Sequence, residues 1–106
     1  MPTIDQISES LFRETINPAL AEFAPEMLFV SAGFDAHARD PLASMRVTTA
    51  GYRRMLDYLW TTASVSNGTL VAVTEGGYDL QALEECLTET VDVLGAPARM
   101  PEPRTV

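Results

Sequence analysis

The sequence predicts an α/β fold, a partial doubly wound parallel sheet in the order α-β-α-β-α. Three observations point there. Two short apolar runs, "MLFV" at 27–30 and "TLVAVT" at 69–74, are bounded by chain breakers, the pattern of strands covered on both faces. Three stretches of helical spacing flank and separate them. A strand, a helix and a strand in succession make a parallel, right-handed crossover unit. Two parallel strands alone leave two open edges, whereas parallel sheets are larger and covered. The pattern therefore reads as a piece of a bigger sheet.

The elements follow in order. Over residues 4–23, Ile4, Ile7, Leu11, Ile16, Leu20 and Phe23 recur at positions that share a helix face. Pro18 interrupts the run, which predicts a kink or a second helix capped by Asn17. Pro25 ends it. The first strand follows, and Gly33 opens a polar loop to about Val47. Thr48 or Thr49 caps the next helix, with Tyr52, Met55, Leu56, Leu59, Trp60 and Ala63 on its apolar face. Arg53 and Arg54 read as its solvated face. "SNG" turns the chain into the second strand. Asp79 caps a last helix whose apolar face is Leu83, Cys86, Leu87, Val91 and Leu94, and Gly95 stops it. Residues 1–95 thus form the α/β part, and 96–106 a Pro-rich flexible tail.

Composition narrows the function. Apolar residues make up 46% of the 106 and charged residues 21%, which allows one globular domain with a core. The net charge of -8, with seven Arg and no Lys, argues against nucleic acid or an anionic membrane as partner. No stretch approaches the about 20 apolar residues of a membrane span, and no secretory signal is present. A cytoplasmic location is expected. Cys86, the sole cysteine, reads as a small buried residue.

Both unusual loops, "SAGFDAHARDPLA" and "EGGYD", follow a strand. Parallel strands put them at the same carboxyl edge, where open α/β sheets bind ligands. Asp35 and Tyr78 are therefore expected to converge on one pocket. Asp35 has three readings: metal ligand, proton acceptor or turn cap. In an extended segment Asp35 and His37 would point the same way, a possible metal pair. Yet His37 is the only histidine, and two ligands are too few for zinc; the bland reading is a solvated loop residue. Asp40-Pro41 reads as a turn. In "EGGYD" the glycines serve a tight turn, or clear space beside a reacting group to which Tyr78 offers its hydroxyl.

Taken together, "FVSAGFDAHARDPLASM", "TTAGYRRM" and "VAVTEGGYDLQAL" resemble the histone deacetylase superfamily, including bacterial deacetylase-like proteins and acetylpolyamine amidohydrolases. The resemblance covers nearly the whole chain but only the C-terminal third of that family's domain. It implies an arginase/deacetylase-like α/β fold with zinc at the carboxyl ends of the strands. By the same resemblance Asp35 is a zinc ligand and Tyr78 the catalytic donor to the substrate carbonyl. Gly76 and Gly77 lie beside the substrate channel, and Leu42 lines the acyl-lysine tunnel or its rim. His37 matches no invariant role. The family's other ligands, an Asp and a His, and its catalytic His pair lie upstream of the matched part.

The resemblance implies an acetylated amine substrate in the complete enzyme and weak or absent zinc binding by this chain alone. An inactive C-terminal portion of a zinc-dependent amidohydrolase is the leading expectation. An alternative from another class is an interaction module that pairs through its exposed sheet edges, with itself or with the missing N-terminal part. A third, Asp35 as phosphoacceptor or magnesium ligand, needs acidic neighbours on further strand ends.

Overall fold

A computed structural model describes residues 2–39 and 46–96. The elements come in the expected order: α1 (Ile4–Leu11), a π-helical turn (Phe12–Ile16), α2 (Asn17–Phe23), β1 (Met27–Ala32), α3 (Thr49–Val65), β2 (Thr69–Thr74) and α4 (Leu80–Gly95). The expected tail begins at Ala96 and otherwise falls outside the described residues.

Helix α1 starts with a capping box. The Thr3 side chain accepts from the Gln6 N–H, and the Gln6 side chain accepts from the Thr3 N–H at 2.9 Å. Proline at 18 has no N–H, and its ring would meet the carbonyl four residues back. The backbone answers by widening: the Asn17 N–H donates to the Phe12 carbonyl, five residues back. The helix thus continues, and Asn17 is not the cap the sequence suggested. Its Nδ2 reaches α3 instead, donating to the Tyr58 carbonyl at 2.8 Å and Thr62 Oγ1 at 2.6 Å. At the end of α2, Ala24 adopts the left-handed conformation, with φ of 52°.

Strands β1 and β2 pair in parallel, from Met27↔Thr69 to Ala32↔Thr74. Gly68 enters β2 where no side chain fits: a Cβ there would lie 2.7 Å from the Pro25 carbonyl oxygen. One face of the sheet carries the half-buried Leu28, Val30, Leu70 and Ala72. The other face departs from expectation. Both faces were expected to be covered, yet Met27, Phe29 and Val73 are 51%, 66% and 49% exposed. The reason is where the helices go: α1, α2 and α4 all pack on α3.

Thr48 caps α3, its Oγ1 accepting from the Gly51 N–H at 3.0 Å. Asp5 of α1 accepts in turn from the Thr48 N–H at 3.0 Å and from the Thr48 hydroxyl. Gly51 is glycine because a Cβ would lie 2.3 Å from Asp5 Oδ1. Along the α3–α4 seam, Leu56, Ala63, Ala82, Cys86 and Val93 are buried. On α4 Cys86 is buried as expected, flanked by Ala82 and Val93; Leu83, Leu87 and Leu94 of the expected face are half-buried, and Val91 faces out. Arg53 is part-exposed and also bridges to α4, to Glu89 and, at 2.6 Å, to Asp92. Arg54 is exposed, as expected, and pairs with Glu9 of α1 at 2.9 Å. The Tyr58 hydroxyl donates to the same carboxylate, and burial first, then Glu9, holds its pKa above the ordinary phenol value. No described helix is long and apolar enough to cross a membrane.

Two substitutions should move stability in opposite directions in urea denaturation of the chain. Ala24→Gly relieves the left-handed strain and should stabilise by about 1 kcal/mol. Asn17→Ala leaves acceptors on α3 without their donor and should destabilise by about 1–3 kcal/mol.

Candidate functional site

The two loops after the strands are stitched together at the carboxyl edge. The Phe34 N–H donates to the Gly76 carbonyl at 2.9 Å, and the Glu75 N–H donates to the Ala32 carbonyl at 3.1 Å. Between them lies the Asp35 carboxyl. A Cβ at Gly76 would sit 3.4 Å from Asp35 Cγ, and one at Gly33 would sit 3.1 Å from Asp35 Oδ1. At Gly76 that is ordinary contact; only at Gly33 would a side chain press on the carboxylate. Gly77 has a different reason to be glycine: its φ is +136°, where a side chain would be strained.

Asp35 sits on a turn, not on an extended segment. The His37 N–H donates back to the Phe34 carbonyl at 3.2 Å, and the Ala36 N–H donates to the Tyr52 hydroxyl at 3.0 Å. The turn breaks the two-residue alternation that would have aimed Asp35 and His37 together. Asp35 is exposed, its carboxyl lying against the Gly33 and Gly76 backbone, while His37 is 3% exposed. His37 is thus neither half of a metal pair nor a solvated loop residue. Its ring lies parallel to Tyr52, at 3° and 6.3 Å between centroids, and Phe34 meets Tyr52 edge-on at 5.2 Å. His37 Nδ1 accepts from the Arg39 N–H at 3.0 Å, and Nε2 lies 2.8 Å from Thr49 Oγ1.

Tyr78 follows the glycines on the same edge, one residue before the Asp79 cap, and is 66% exposed. The Asp79 carboxylate accepts from the Gln81 and Ala82 N–H groups at 2.9 and 3.2 Å. Leu42 and the Asp40-Pro41 turn lie outside the described residues. No cluster of three or more His, Cys, Asp or Glu able to hold a metal occurs among the described residues. Cys86 is buried, and burial pushes its thiol pKa up, away from reactivity.

Sequence reasoning missed the polar network under the turn. Thr49 Oγ1 donates to Glu85 Oε1 at 3.1 Å, and Arg39 pairs with the other oxygen of Glu85. Arg39 holds the Glu85 carboxyl below the ordinary glutamate range. Thr49 and Glu85 are 36 residues apart, and nothing in the sequence links them.

A model of the histone deacetylase domain matches residues 3–94. Histone deacetylase 15 of Arabidopsis thaliana is 36% identical over 83 residues, covering 78% of this chain and 14% of that protein. Among solved structures, the HD domain of HDA15 superposes with a TM-score of 0.78 at 33% identity, covering 88% of this chain and 26% of that one. Acetylpolyamine aminohydrolase from Burkholderia pseudomallei superposes at 0.62 and 33% identity, with 83% and 25% covered. The chain therefore spans about a quarter or less of the relatives it matches. With nearly all of its described length matched by the family's model and its fold shared with solved members, the chain belongs to the histone deacetylase family.

Proposed function

We propose that this chain forms part of the catalytic edge of a zinc-dependent amidohydrolase that removes acetyl groups from amines, as acetyl-lysine or acetylpolyamines. Residues 1–95 act as the C-terminal part of that domain, with 96–106 as a tail. The observation that carries the reading is the Asp35 carboxyl lying against Gly76. The aspartate of "GFD" and the loop of "GGY" thereby belong to one strand edge.

Asp35 fits a zinc site as an exposed carboxylate donor just past a strand end. It is one ligand of the three a catalytic zinc takes from protein. The other two and the histidine base come, in this reading, from polypeptide beyond the described residues. When bound, zinc polarises the acyl carbonyl and activates water. The Tyr78 hydroxyl donates a hydrogen bond to the carbonyl oxygen as negative charge develops on it. Gly76 and Gly77 leave the acyl group room, and Leu42 lines the rim.

A second reading is favoured by the bare sheet face: pairing of the chain through its sheet with itself or with another polypeptide. Met27, Phe29 and Val73 would supply the buried area.

Zinc analysis and an acetyl-lysine peptide assay test the first reading. The chain alone should bind no stoichiometric zinc and show no turnover; full activity of the isolated chain would overturn this. When the chain completes a deacetylase domain, Asp35→Ala should abolish zinc binding. Tyr78→Phe should keep zinc and lower kcat about 100- to 1,000-fold. Light scattering over a range of concentrations tests the second reading. Concentration-dependent dimers that Phe29→Asp dissociates support it; a monomer at all concentrations rejects it.

A further inference from the structure

We propose that His37 is the positioning residue of the Asp35 turn, acting through a closed ring of four residues that reaches the helix after the Tyr78 loop. The proposal rests on the reading of Asp35 and Tyr78 given above.

The ring's donors and acceptors can be assigned from chemistry. A carboxylate only accepts, so the Thr49 hydroxyl spends its single hydrogen on Glu85 Oε1, at 3.1 Å. Thr49 Oγ1 must then accept from His37, and Nε2 carries the hydrogen at 2.8 Å. On the other side of the ring, Nδ1 accepts from the Arg39 N–H at 3.0 Å, so Nδ1 carries none. Both sides specify the same neutral tautomer. The Arg39 guanidinium returns to Glu85 Oε2 and closes the circuit.

The ring joins three separate elements. His37 and Arg39 belong to the loop after β1, Thr49 opens α3, and Glu85 lies on α4. Helix α4 begins at the Asp79 cap, directly after Tyr78. The circuit therefore fixes the base of the Asp35 turn to the helix that anchors the Tyr78 loop. Tyr52 holds the turn from its other side, stacked on His37 and accepting from the Ala36 N–H. Asp35 itself stays out of the ring, exposed, with its carboxyl against Gly33 and Gly76. His37 thus sets the direction of the neighbouring carboxylate without approaching it. The Arg39–Glu85 pair cannot do this alone, because it is exposed and such pairs contribute little.

The chain carries one histidine, so a nitrogen-15 spectrum of its imidazole is a single-residue probe. Long-range proton–nitrogen NMR of the 106-residue chain should show a protonated Nε2, slow to exchange, and an unprotonated Nδ1. The second readout is the nuclear Overhauser contact between the Asp35 β-protons and the Gly76 α-protons. His37→Ala and Thr49→Val should both lose it while contacts between Leu56 and Val93 methyls and their α3–α4 neighbours persist. His37→Gln, whose amide reaches the Nε2 position, should restore it. Should His37→Ala also lose the core contacts, Thr49→Val decides. A protonated Nδ1, or an undiminished Asp35–Gly76 contact in the folded variants, would falsify the proposal. No metal enters this test, so its outcome is separate from that of the zinc experiment.

Discussion

The rest of the structure depends on one constraint: two parallel strands cannot be joined by a tight turn, so a helix must cross between them. That helix is α3, and the chain uses every side of it. Arg53 reaches α4, Arg54 and Tyr58 reach Glu9 of α1, and Thr62 receives Asn17 of α2. At its N-terminus, Thr49 and Tyr52 hold the loop that carries Asp35. Leu56 and Ala63 fill the seam with α4. A helix so fully engaged covers one face of the sheet and draws the other helices to itself. The bare face with Met27 and Phe29 is the direct result.

The same economy brings the two strand-end loops together. In-register pairing carries Ala32 and Thr74 to the same level, so the residues that follow meet at once. The Phe34 N–H and the Gly76 carbonyl then satisfy each other. Glycine at 33 spares the carboxylate a tight contact as it lies against the Gly76 backbone. Backbone geometry thus comes first, and the chemistry proposed for this edge uses a space that pairing has already made.

Much of this was legible in the sequence where the signal is local. The run "TLVAVT" matches β2 because Gly68 and Glu75-Gly76 bracket it. Thr48 and Asp79 announce their helices because a capping side chain bonds amides two or three residues on. What stayed hidden depends on tertiary partners. Asn17 has the chemistry of a cap, but the widened turn before Pro18 left no helix start to cap. His37 looked like a loop residue because its partners, Thr49 and Glu85, arrive from two other elements. The ion pairs of Arg53 were hidden because Glu89 and Asp92 lie on a helix nearly forty residues away along the chain. For the candidate site, the meeting of the loops followed from strand order alone, whereas Leu42 lies outside the described residues.

The bridges between elements have a chemical consequence. Arg39, Arg53 and Arg54 make every cross-element ion pair among the described residues, and the chain contains no lysine. A guanidinium keeps its charge at any pH the protein meets, and it is not a target of amine acetylation. The positive half of each bridge is therefore immune to the modification that this family removes from its substrates. Only the carboxylate half can be neutralised, and only by acid. A chain from a family that acts on acetylated amines thus carries no side-chain amine of its own to be acetylated.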